Sequence, residues 1–279
     1  MINALILSKN RASQLRLLLE SMSINASSLF NRITIIYTYS NDDFKKGYEK
    51  LQSENILPNI DWQKEKDFMP DFLQAIKNCE SEYICGIVDD CVFYKRIPSS
   101  PEYIEAFIKD DVFCFSLRLG LNTTMQNYLD PNRKLTLQKY GKGKVCIRWD
   151  WKKLTPSANY GYPISLDGHI FRTDELSRIS HKFEFKSLRS WEETLTTQRK
   201  SITDKNMMVS YKQSVLFSIP SNSVQDPPMI SGQRHAYSEK DLNDKYLENT
   251  VIDFESIEHA FQNVQWAHNE IELSFKSIN

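Results

Sequence analysis

A chain of 279 residues, 41% hydrophobic and 25% charged, has ample material for a buried core and the composition of a soluble globular protein. Its net charge of -1, with no strongly basic stretch, removes the electrostatic footprint of a nucleic-acid binder. No apolar run approaches the roughly 18–20 residues that span a bilayer, and the N-terminus lacks a basic region and a small-residue cleavage site, so a cytoplasmic protein is expected.

Residues 2–7 read as a first strand, and Ser8-Lys9-Asn10-Arg11 as a polar turn at its carboxyl end. Leu15, Leu18, Leu19 and Met22 recur at helical spacing. Residues 33–39 form a second strand of β-branched and aromatic residues, followed by a Ser40-Asn41-Asp42 cap and a helix carrying Phe44, Tyr48 and Leu51. A short third strand is predicted at 59–62, then a helix through Phe68, Phe72, Leu73 and Ile76. Residues 83–88 are a short apolar run, the pattern of a strand buried on both faces. The order β-α-β-α-β-α-β implies a mainly parallel sheet with right-handed crossovers.

The fourth strand ends in Asp89 and Asp90. Two like charges there are costly unless a cation lies between them, and ligands of open α/β sheets bind beyond the carboxyl ends of the strands. A solvated Asp-Asp turn is the competing explanation. Neither G-x-G-x-x-G nor a P-loop motif is present, which disfavours a Rossmann dinucleotide site and a P-loop nucleotidase.

Downstream, Ser100-Pro101-Glu102 predicts a helix start and 112–117 a strand. Residues 118–144 are polar with weak periodicity, as expected of a substrate-side insertion. Residues 145–151 predict a strand with two tryptophans, Thr173 a helix start and Ser190 another, and 215–219 a strand. Ser190-x-x-Glu193 has the form of a capping box, which gives Glu193 a structural task. Residues 232–237 are a polar loop, with Ser238 capping the helix after it. The tail from Asp253 places Phe254, Ile257, Phe261, Val264, Trp266, Ile271 and Phe275 on one long amphipathic helix, packed back on the domain. Its mixed, acidic polar positions disfavour a membrane-surface helix. Five cysteines (79, 85, 91, 114 and 146), odd in number and without Cys-x-x-Cys, read as reduced thiols. With no repeat or Pro/Gly-rich linker, a single domain is expected.

Several blocks in this order resemble GT-A glycosyltransferases, broadly the family 2 type of nucleotide-sugar transferase. They are Ala4-Leu-Ile-Leu-Ser-Lys-Asn-Arg11, residues 33–42, the strand ending in Asp89-Asp90 in the place of a D-x-D signature, residues 161–172, residues 185–192 and residues 219–225. The resemblance implies an α/β GT-A fold with a mainly parallel central sheet flanked by helices and a C-terminal helical extension. It divides the chain into a nucleotide-sugar-binding half (1–98), an acceptor half (99–237) and C-terminal helices (238–279). It implies a nucleoside-diphosphate sugar donor, UDP-sugar favoured, and a glycan or glycolipid acceptor. It also implies Mn2+ or Mg2+ on Asp90, with His235 as a further ligand or phosphate contact, and allows peripheral contact with the inner face of a membrane. Ser8, Arg11, Tyr39, Asp89 and Asp90 are expected to touch the donor, and Trp191 to stack on a sugar. The catalytic base falls on Glu192, with Asp167 as its rival and more readily a substrate contact. Two departures stand out: Cys91 occupies the place of a third acid, and Tyr39-Ser40 the place of an acid that reads the base or ribose. The competing functions are a sugar-phosphate nucleotidyltransferase and a non-catalytic nucleotide-sugar-binding module.

Overall fold

The structure, a computed structural model, describes residues 1–124, 135–141, 145–156, 159–224, 234–235, 237–261 and 265–278. The first half follows the expected alternation: β1 (Ile2–Lys9), α1 (Ala12–Asn25), β2 (Phe30–Thr38), α2 (Asp42–Glu54), β3 (Ile60–Lys64), α3 (Phe68–Lys77) and β4 (Tyr83–Val88). Side-chain alternation explains why these strands carry apolar residues on both faces. Ala4 and Ile6 of β1 join Ile33, Ile35, Cys85 and Ile87 beside α1 and α2. Leu5 and Leu7 point the other way, to Ile36, Ile84 and the α3 residues Phe72 and Ile76. Asn41 caps α2 as expected, its side chain accepting from the N–H groups of Asp43 and Phe44.

Beyond Asp90 come β5 (Cys91–Phe93), α4 (Pro101–Glu105), β6 (Val112–Ser116), β7 (Gln138–Tyr140), β8 (Cys146–Asp150), β9 (His169–Arg172), α5 (Thr173–Ser180), α6 (Leu188–Thr197), β10 (Met207–Tyr211) and β11 (Leu216–Ser218). Among the described residues the central sheet has nine strands in the order β3-β2-β1-β4-β9-β6-β10-β8-β7. Seven of them, β1–β4, β6, β7 and β10, run one way, and only β8 and β9 run against them. The reversed β9 decides the site. Because it lies antiparallel between β4 and β6, its start, not its end, meets the carboxyl ends of its neighbours: His169 is in register with Gly86 and with Ser116.

Gly86 is what allows the chain before β9 to lie so close to β4. A Cβ there would fall 2.4 Å from Leu166 Cδ2 and 3.1 Å from its backbone Cα. Gly86→Ala is therefore expected to cost about 1–3 kcal/mol by overpacking, read as a lower midpoint in denaturant.

The C-terminal end departs from expectation. After α7 (Glu239–Leu247) and β12 (Thr250–Ile252), helix α8 covers only Phe254–Ala260, and the chain ends in β13 (Phe275–Ser277) antiparallel to β12. Residues 265–274 are not helical; their backbone bonds are spent elsewhere. Ser218 N–H donates to Ala267 O at 3.0 Å, Asn269 N–H to Ser218 O at 2.9 Å, and Asp253 N–H to Ser274 O at 2.9 Å. Trp266 is exposed, and Val264 lies outside the described residues. Phe254 and Ile257 pack with Leu17 of α1 and with Val92 and Phe217 of the β5–β11 pair. The polar insertion 118–144 holds a short turn, Leu121–Thr123, and β7; residues 125–134 and 142–144 lie outside the described residues. Among the described residues no helix is long and apolar enough to cross a membrane.

Candidate functional site

The turn after β1 is built for its place. Asn10 takes a left-handed conformation (φ 57°), which asparagine tolerates, and its side chain exchanges hydrogen bonds with Ser40. This turns Arg11 into the molecule, where it is buried. Its Nη1 donates to Asp89 Oδ1 at 3.0 Å and reaches Asp90 Oδ2 at 3.5 Å; its Nε donates to Asn222 Oδ1 at 2.8 Å, and Nη2 to Asn222 O. Burial works against the guanidinium charge, but Asp89 and Asp90 outweigh it and hold its pKa above the ordinary value. Ser8 lies at the same edge with its hydroxyl 2.7 Å from Tyr48.

The two aspartates are thus unlike. Asp89 is buried and accepts on both oxygens, from Arg11 and from the Lys9 N–H at 3.3 Å. Among the described residues the Asp90 side chain keeps only the long contact to Arg11. Burial, with Asp89 and Asp167 adding repulsion against the pull of Arg11 and His268, pushes its carboxyl up to about 6.

Across the cleft, Asp167 stands just before β9 and Arg118 just after β6, so the reversed strand brings them together. Arg118 Nη1 donates to Asp167 Oδ2 at 2.8 Å, and His268 Nε2 lies 2.8 Å from Arg118 Nη1 and 3.4 Å from Asp167 Oδ2. Burial raises the pKa of Asp167, but Arg118 and His268 overcome it and hold the carboxyl far below the ordinary range. Glu192 lies on α6, its carboxylate accepting from the Tyr162 hydroxyl at 3.2 Å and the Leu166 N–H at 3.3 Å. Burial first, then repulsion from Asp167, pushes its carboxyl up to about 8.

Helix phase separates three neighbours on α6. Trp191 turns into the core with Leu195 and is 1% exposed, its Nε1 donating to Ser180 Oγ at 3.0 Å and its ring edge-on to Phe72. No indole face is left for a sugar, which overturns the stacking role expected of it. Glu192, one position on, reaches the cleft. Glu193 points outward to an ion pair with Arg189. It does not close a capping box: the helix starts at Leu188, with Ser187 as N-cap and Ser190 as its reciprocal partner.

These groups line one cleft of about 620 Å³, within the size range of small-ligand sites. Ser8, Arg11, Asp89, Asp90, Asp167 and Glu192 all reach it. Tyr39 and His235 do not. Tyr39 is covered by Lys64, whose Nζ is 2.7 Å from the phenol oxygen, and His235 stacks on Tyr237. The histidine at the cleft is His268, carried in by the extended segment paired to Ser218. Arg118 and His268 carry no local motif, and Tyr162 and Asn222 sit in the blocks 161–172 and 219–225 without a role assigned from sequence; the crossing of distant segments brings all four to the cleft. A second, polar cleft of about 400 Å³ lies at the opposite end of the strands, away from this chemistry.

No protein-family model matches the chain. A curated relative, the bifunctional glycosyltransferase pgtA of Dictyostelium discoideum, is 23% identical over 92% of the chain. In sequence the chain is similar to a stretch of that glycosyltransferase. It spans only 38% of the length of that relative. Among solved structures, S. aureus TarS (residues 1–349, with UDP) aligns over 79% of this chain and 62% of its own, at 15% identity and a TM-score of 0.47. A cytidylyltransferase from Leptospira borgpetersenii aligns over 89% and 94%, at 12% identity and a TM-score of 0.42.

Proposed function

We propose that the chain is an inverting glycosyltransferase that moves a sugar from a nucleoside-diphosphate donor, a UDP-sugar by preference, to a hydroxyl of a glycan or glycolipid acceptor. The observation that carries this reading is one cleft with two kinds of carboxylate: Asp90 at the end of β4, and Glu192 facing it from α6. Residues 1–98 supply the donor side and residues 99–237 the acceptor side. The acceptor oxygen bonds to the anomeric carbon as the bond to the diphosphate oxygen breaks, and the acceptor proton passes to Glu192. Asp167 is a poor base, since Arg118 and His268 keep it ionised and occupied; it serves better as a fixed acceptor for sugar hydroxyls.

Asp90 fits a divalent cation. Its carboxylate lines the cleft, holds one long contact and is short of positive charge. Among the described residues no three His, Cys, Asp or Glu side chains form a complete metal cage. Mg2+ or Mn2+ held by one or two carboxylates would take its remaining ligands from the donor phosphates. When bound, such an ion supplies Lewis-acid stabilisation of the departing diphosphate. Arg11 gives ground for a second reading. A buried guanidinium already spans both aspartates, as a built-in counter-charge would in a module that binds donor without turning it over.

Hydrolysis of UDP-glucose with and without manganese separates the readings. Manganese-dependent release of UDP is expected. Binding without release supports the module, and pyrophosphate exchange supports a nucleotidyltransferase.

A further inference from the structure

We infer that Tyr162 is the positioning residue for Glu192, its phenol O–H holding Oε2 while the Leu166 N–H holds Oε1 and so aiming the carboxylate across the cleft. The inference rests on Glu192 being the base. Each carboxylate oxygen has two acceptor sites, so one donor on each leaves one free on each for an acceptor hydroxyl.

The tyrosine is well fixed for this task. A Cβ on the preceding Gly161 would fall 2.0 Å from Thr155 O, so the chain there is pressed against its neighbour. Tyr162 N–H donates to Asn159 O at 3.2 Å, and Pro163 behind it narrows its backbone freedom. Burial first, then the charge of Glu192, holds the phenol pKa far above the ordinary value, so Tyr162 stays a donor at every working pH. Other charged groups also face Glu192. Asp167, before β9, favours the protonated acid, and Arg118, after β6, favours the carboxylate. Lys186 and Arg189 line the same cleft from the start of α6, Arg189 paired to Glu193. Tyr162 differs from these in touching the carboxylate directly.

Carbon-13 NMR titration of side-chain carboxyls reads this without any ligand, the Glu192 signal being the one missing in Glu192→Gln. In Tyr162→Phe the Glu192 midpoint should rise by about one pH unit, the effect of losing one hydrogen bond to a charged group. An unchanged midpoint in the folded variant overturns the inference. Should Tyr162→Phe fail to fold, tyrosine labelled at Cζ decides in the parent protein. The Tyr162 signal must then inflect at the Glu192 midpoint and lose that inflection in Glu192→Gln; a flat response overturns the inference equally. Failure of the underlying reading looks different. Undiminished UDP-glucose turnover in Glu192→Gln would reject the base and leave the titration result standing.

Discussion

Asp90→Asn is expected to lower manganese-dependent turnover by about 10³-fold while leaving the melting temperature near that of the parent. The amide keeps the volume of the carboxylate but not its charge, and loss of a metal's transition-state stabilisation is worth several kcal/mol. Little stability should be lost, because among the described residues the Asp90 side chain makes only a 3.5 Å contact to Arg11, and it already resists ionisation. Asp89→Asn is expected to do the reverse in kind. It weakens the partner that holds a buried guanidinium at 3.0 Å, so stability should fall by about 1–3 kcal/mol and activity should follow the loss of fold. Turnover against manganese concentration, with melting temperatures alongside, checks both variants. Parent-like activity of Asp90→Asn at saturating manganese rules out the metal assignment. A loss that chelator does not reproduce in the parent points to the Arg11-neutralised site instead.

The contrast between the two aspartates marks how far the sequence could be read. Strand β4 was legible because six apolar residues in a row followed by two acids admit few alternatives, and its partners came from the helix-strand alternation. Strand β9 was not. His169–Arg172 is four residues long and follows a Pro/Gly-containing stretch, and nothing local says that it enters the sheet antiparallel. Yet that reversal places Asp167 beside Arg118. Ser190 reads as a helix start, but the helix begins earlier, with Ser187 as N-cap and Ser190 as its reciprocal partner, while Trp191 and Leu195 turn inward. The tail differs for the opposite reason: its periodicity holds over Phe254 and Ile257, but backbone pairing with Ser218 and β12 takes Ala267, Asn269 and Ser274–Ser277. His235 and Tyr39 follow from the resemblance, and neither lines the cleft, Tyr39 being held by Lys64 and His235 stacked on Tyr237.

Glu192→Gln is expected to reduce turnover by roughly 10²–10⁴-fold, the usual range for loss of a general base, with donor binding little changed. The pH dependence sharpens the test. A base must be ionised to work, and burial pushes the Glu192 carboxyl up to about 8, so kcat/KM of the parent should climb with pH through that value. The variant should lack this limb. Stability carries the opposite slope. The folded protein binds this proton more tightly than the unfolded chain, whose carboxyl titrates near 4.5. The contribution is therefore fully present below about 4.5 and is lost as pH rises through about 8. Glu192→Gln should flatten that fall in melting temperature while abolishing the rise in rate. Glu193→Gln serves as the control on the same helix turn. Its side chain is 61% exposed in an i,i+4 pair with Arg189, so the change should cost about 0.5 kcal/mol or less and leave both pH profiles in place. A Glu192→Gln protein that retains the parent's rate and its alkaline limb would move the proton acceptor off α6 altogether.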